Sequence, residues 1–119
     1  MKKDNFVYVE DILDAFGKIF NYIQGSSEQD FYKDEKTQDA VIRKFEIAGE
    51  AVKNISQELK DQYPGVPWKS MAGMRDKLIH DYAGVDLVAV WETIQKLLPS
   101  LISDFNKIYA YDFLPACCL

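Results

Sequence analysis

Phe6-Val7-Tyr8-Val9-Glu10-Asp11-Ile12-Leu13-Asp14-Ala15-Phe16-Gly17-Lys18-Ile19-Phe20-Asn21-Tyr22-Ile23 carries large apolar side chains at positions 6, 9, 12, 13, 16, 19, 20 and 23. Steps of three and four residues gather that set on one face of an α-helix, whereas a half-buried strand would need strict alternation. Asp4 or Asn5 is placed to cap the start, and Gly25 is a natural stop.

The same period recurs downstream. Ser27 opens a short capped segment through Tyr32, which reads as a connector. A second long helix is predicted from Asp34 through Val41, Ile42, Phe45, Ala48, Val52, Ile55 and Leu59, ended by Tyr63-Pro64-Gly65-Val66-Pro67. Gly49 lies inside it, at a cost of about 1 kcal/mol relative to Ala, and marks close approach by another helix. A third helix is expected from Pro67 through Trp68, Met71, Met74, Leu78 and Ile79 to about Asp81. Asp86 then caps a fourth, through Leu87, Val90, Trp91, Ile94, Leu98, Leu101, Phe105 and Ile108, with a kink at Pro99. The expected fold is all-α: an antiparallel up-and-down bundle of four main helices plus a short connecting helix. One domain covers residues 1–108, and residues 109–119, with Phe113, Leu114 and both cysteines, form a tail that packs on the bundle or is disordered.

Composition supports a single helical domain. The 119 residues suffice for one core and not for two. Six Gly and four Pro are too few for a turn-rich β-sandwich or barrel. Fourteen Lys and Arg against nineteen Asp and Glu leave a net charge of −5, which argues against a general nucleic-acid coat while leaving room for a small basic site. Cys117 and Cys118 are adjacent and terminal, so they supply neither a staple nor spaced zinc ligands, and Ala116 occupies the position a prenylated Cys would need. No apolar run approaches the ~20 residues of a membrane span, and the N-terminus lacks an apolar signal core, so a soluble cytoplasmic protein without metal or cofactor is expected.

Chemistry concentrates in Met74-Arg75-Asp76-Lys77-Leu78-Ile79-His80-Asp81-Tyr82, which holds the one histidine of the chain. From Pro67 to His80, Lys69, Arg75 and Lys77 face a single acid, Asp76, so this segment is positive in a negative molecule. An imidazole exchanges protons near neutral pH, and a guanidinium grips a phosphate through two parallel hydrogen bonds. Together they suffice for metal-free cleavage of RNA, where the substrate's own 2′-hydroxyl attacks the adjacent phosphate; DNA lacks that nucleophile. Five residues on a straight helix rotate about 140°, so Arg75 and His80 would share a site only if the helix ended near His80 or if two protomers contributed.

Arg75, four residues, His80, one residue and Tyr82 resemble the signature of HEPN ribonucleases. Pro67-Trp68, Ala72-Gly73-Met74-Arg75, His80-Asp81-Tyr82 and Gly84-Val85-Asp86 are similar to the HepT family of prokaryotic toxins. So are Tyr8-Val9-Glu10-Asp11-Ile12, the run from Asp34 to Arg43, Glu46-Ile47-Ala48-Gly49-Glu50-Ala51, Val90-Trp91-Glu92-Thr93-Ile94 and Leu98-Pro99. The resemblance implies an all-α homodimer whose two motifs meet in a cleft, and a toxic endoribonuclease acting on transfer or messenger RNA. It also implies a partner, an MntA-type nucleotidyltransferase antitoxin that silences the toxin by transferring AMP to the motif tyrosine. On these residues Arg75 would bind and polarise the scissile phosphate and His80 would serve as general acid or base. Asp76 would orient the catalytic side chains, and Tyr82 would be the modified hydroxyl.

Arg43, Glu46 and Glu50 share one helix face, either as an ion-paired surface or as a border of the cleft that positions Arg75 or His80. The competing functional reading is a noncatalytic helical module that binds a nucleotidyltransferase or a nucleotide, in keeping with the net negative charge. A third reading makes the chain itself the antitoxin of a pair.

Overall fold

The computed structural model of the chain describes residues 4–74, the backbone of 79–80, and residues 84–113. Helix α1 (Asn5–Ile23) starts where the Asp4 carboxylate accepts a hydrogen bond from Val7 N at 3.3 Å, and it is followed by Gly25 at φ +79°. Asp4 is therefore the cap, and Asn5 has another task. Its Nδ2 donates to Ser56 Oγ at 2.9 Å and its Oδ1 accepts from Ser56 N at 3.0 Å, tying the start of α1 to the end of α3 (Glu35–Asn54). Helix α2 (Glu28–Lys33), with a reciprocal Ser27–Asp30 capping box, is the short connector.

The second long segment divides. Ile55 is extended (ψ 139°), and Ser56 caps a separate helix, α4 (Gln57–Gln62), through Leu59 N at 3.2 Å. The four-residue step from Ile55 to Leu59 preserves the helical period across the break, so hydrophobic spacing hides it. The cause is Ser56, whose hydroxyl offers the backbone a cap in place of a continued helix.

The third helix is shorter than its pattern. Helix α5 (Trp68–Ala72) ends at Gly73, and Ile79–His80 is extended backbone (β1) paired antiparallel with Gly84–Val85 (β2), Ile79 opposite Val85 and His80 opposite Gly84. The expectation of a helix through Ile79 and His80 is corrected; Asp81 lies outside the described residues. Gly84, opposite His80 in β2, holds φ +81°, a backbone conformation that an L side chain would strain.

The last long helix runs as α6 (Leu87–Glu92), a π-helical turn (Thr93–Leu97) and α7 (Leu98–Phe113), capped by Asp86 onto Ala89 N at 3.0 Å. Proline has no N–H to give the preceding turn, and here the ladder responds by widening, with Leu98 N bonded to Thr93 O. Helix α7 continues five residues past Ile108. Its end packs on the start of α1, with Phe6 at 5.7 Å from Tyr109 and 5.5 Å from Phe113, centroid to centroid. Residues 114–119, the rest of the expected tail, lie outside the described residues.

These contacts make α1 antiparallel to both α3 and α7. Along the common core Val9, Ile12, Phe16, Ile19, Val41, Phe45, Val52, Ile94, Leu98, Leu101, Phe105 and Ile108 are all buried. The all-α bundle is as expected, with three long helical rods among the described residues and α5 lodged across them. The close approach predicted at Gly49 is real. A Cβ there would stand 3.4 Å from Met71 O and 3.6 Å from Ala72 O, the last carbonyls of α5. A methyl group just fits, so Gly49→Ala is expected to raise stability by up to about 1 kcal/mol through helix propensity. Gly49→Leu is expected to lose about 1–3 kcal/mol by overpacking, and chemical denaturation of the pair reads the sign of each.

Candidate functional site

The segment that holds the candidate site residues is flanked on both sides by packed elements. On its N-terminal side, Trp68 Nε1 donates to Tyr63 O at 2.9 Å and the Trp68 ring stands edge-on to Phe105 at 5.6 Å. Met71 and Met74 are buried, and Gly49 admits the α5 carbonyls against α3. Helix α5 is too short to persist by propensity alone, so this packing holds it. On the C-terminal side Asp86 caps α6, and Trp91 of α6 packs at 5.5 Å, tilted by 36°, against buried Phe31 of α2.

Of the residues expected to form the site, Arg75, Asp76 and Tyr82 lie outside the described residues, as does Lys77. His80 is described by its backbone, paired with Gly84 in the hairpin. The 140° rotation presumes a helix that continues to His80, and the backbone at Ile79–His80 is extended.

The triad on α3 separates. Arg43 Nη1 lies 3.5 Å from Glu46 Oε2, and Lys53 Nζ lies 3.2 Å from Glu50 Oε1, so Glu50 turns to the next residue along the helix surface. Glu46 is the most sheltered of these, with 27% of its side chain exposed against 69% for Arg43 and 70% for Glu50. It occupies the turn before Gly49 and so faces the side on which α5 packs.

Sequence reasoning missed Tyr63. Its hydroxyl donates a short hydrogen bond to Asp112 while its carbonyl holds Trp68, linking the root of α5 to the end of α7. Forty-nine residues separate the hydroxyl from its partner, and no local pattern joins them. Desolvation, then the bond to Asp112, pushes the phenol up to about 12, and the bond to Glu28 does the same for Tyr32. Both shifts favour the neutral phenol in the folded state. The stability they lend is full below the ordinary tyrosine value of about 10 and is lost as pH rises through about 12. Denaturant titrations across that window should show wild-type stability falling with pH and Tyr63→Phe falling less steeply, Tyr32 keeping its share.

Among the described residues no three His, Cys, Asp or Glu side chains are grouped to hold a metal ion, and no helix is long and apolar enough to cross a membrane.

Comparison with known proteins covers the whole segment. Residues 12–108 match the family described as Ribonuclease HepT-like. "Probable ribonuclease HepT" of Thermococcus cleftensis is 46% identical over 108 residues, 91% of this chain and 98% of that protein. A "Putative RNase" of Caldanaerobacter subterraneus subsp. tengcongensis is 45% identical over 101 residues, 85% of this chain and 90% of its own length. Another so named, from Methanocaldococcus jannaschii, is 40% identical over 107 residues, 90% of this chain and 88% of its own. No solved structure matches the chain.

Proposed function

Because this chain belongs to the HepT-like ribonuclease family, we propose that it is an endoribonuclease that cuts RNA without a metal ion and acts in the cytoplasm as the toxin of a toxin–antitoxin pair. The observation that carries the reading is the family match from 12 to 108, which spans Arg75, His80 and Tyr82 in order.

In the proposed reaction the 2′-hydroxyl of the substrate attacks the neighbouring phosphorus. The 2′-oxygen–phosphorus bond forms, the bond to the 5′-oxygen breaks, and the products are a 2′,3′-cyclic phosphate and a 5′-hydroxyl. Arg75 binds the phosphate and balances the charge that builds on its oxygens. His80 takes the proton from the 2′-hydroxyl or gives one to the departing 5′-oxygen. Asp76 orients these groups. Two protomers supply a pair of motifs to one cleft, and exposed Val85 and Val88 beside the hairpin offer an apolar contact next to it.

The test is cleavage of transfer and messenger RNA by purified protein in excess EDTA, with cyclic-phosphate ends on the products. RNA left intact by folded wild-type protein would overturn the proposal, as would full activity of His80→Ala. Control of the toxin is assigned to a nucleotidyltransferase that places AMP on Tyr82, adding bulk and negative charge beside a phosphate site. Protein co-produced with such a partner should gain one or more AMP units on the peptide containing Tyr82, as read by mass spectrometry; neutralisation with that peptide unmodified would mean inhibition by binding alone.

A further inference from the structure

Alongside α5 lies a groove of about 430 Å³ between α4 and α5. Lys60 of α4 and Lys69 of α5 line it, with a single acid, Asp61. The Asp61 carboxylate accepts a hydrogen bond from Gln57 Nε2 at 2.8 Å. Neither lysine ammonium forms an ion pair with a described residue, whereas Lys18, Lys53 and Lys96 on other helices pair with Asp14, Glu50 and Glu92. Among the described residues Lys33, Lys36, Lys44 and Lys107 are likewise without an ion pair, but Lys60 and Lys69 line one groove together, in a protein whose net charge is −5. Its wall includes Trp68 and Ala72, and Ala72 stands three residues before Arg75 in the chain.

We propose that this groove is a phosphate track for single-stranded RNA, in which Lys60 and Lys69 hold two backbone phosphates beside the one that is cut. The proposal rests on the ribonuclease reading for its ligand and adds a substrate-binding element outside the Arg75 to Tyr82 segment. Lysine is a compact point charge with rotatable donors, suited to phosphates of varied sequence and not to reading base edges. The track therefore supplies affinity and orientation without sequence preference.

Binding of a labelled single-stranded RNA of mixed sequence is measured on His80→Ala protein, so that cleavage does not intervene, over a range of sodium chloride concentrations. Each phosphate neutralised on a single strand contributes about 0.7 to the slope of log affinity against log salt. Adding Lys60→Gln and Lys69→Gln should flatten that slope by about 1.4 and weaken binding equally for unrelated sequences. Lys18→Gln with Lys96→Gln removes the same charge from paired positions elsewhere and should leave the slope unchanged. An unaltered slope in the groove variant, or an equal loss in both double variants, overturns the track. A poly-glutamate peptide that binds more tightly than RNA, and loses that binding in the groove variant, also overturns it and gives the groove to an acidic protein partner. Wild-type protein assayed for cleavage in parallel separates the two readings: groove-dependent binding without cleavage sinks the enzyme and keeps the track, and cleavage with groove-independent binding does the reverse.

Discussion

Replacing His80 by alanine is expected to lower RNA cleavage about 10²–10⁴-fold, the range set by loss of a positioned proton-transfer group. Arg75→Ala is expected to cost about 10²–10³-fold through lost stabilisation of the phosphate oxygens. In cells both variants should abolish growth arrest on expression. Helical circular dichroism and melting temperature should stay near wild type, since the buried side chains of the described residues are apolar without exception and their packing carries the fold. A collapse of the helical signal in either variant would make the motif structural. Activity retained in both would remove them from catalysis. A fall confined to Arg75→Ala would leave the proton transfer to another group.

The reach of the sequence is clearest at the helix ends. Asp4, Ser27, Asp34 and Asp86 all precede apolar periods, and all four cap helices in the structure. Capping is a local event, decided within three residues, and so is readable without the fold. The glycine at position 49 was readable for a related reason. A helix interior accepts the cost of Gly where something must come close, and two carbonyls of α5 do.

The failures are those of a period that continues while the backbone does not. Ile55 to Leu59 keeps helical spacing across a break, and Trp68 to Ile79 keeps it past the end of α5. At the first, a polar side chain outweighs the pattern, Ser56 with Asn5; at the second, Ile79–His80 is extended and pairs with Gly84–Val85. Side-chain links between distant segments were also out of reach. Tyr63 meets Asp112 only because α5 and α7 have already packed, and the groove that Lys60 and Lys69 share exists only once α4 folds against α5. The family is legible in the sequence through the motif and its flanking residues, whereas the packing on either side of the motif is a product of tertiary structure.

That packing converges on one residue. Phe105 is fully buried, its ring edge-on to Phe16 of α1 at 6.4 Å and to Trp68 of α5 at 5.6 Å. Phe105→Ala would open a cavity where α1, α5 and α7 meet, and truncations of this kind cost about 3–5 kcal/mol. Against a typical total of about 5–15 kcal/mol that is roughly a fifth of the stability of the domain at the least. For a chain of this length the melting temperature should fall by about 10–20 °C. Tyr111→Ala, further along α7 and 70% exposed, should stay within about 0.5 kcal/mol of wild type. Phe105→Leu refills most of the volume and should recover most of the loss. Trp68 adds a second readout, because it keeps its bond to Tyr63 O while losing the ring that fixes its tilt. Its fluorescence should therefore change in Phe105→Ala well below the melting transition. A variant that melts within about 2 °C of wild type with unaltered Trp68 emission would show that α5 is held by Gly49 and Tyr63 without Phe105, and the anchoring of the motif would have to be reassigned to them.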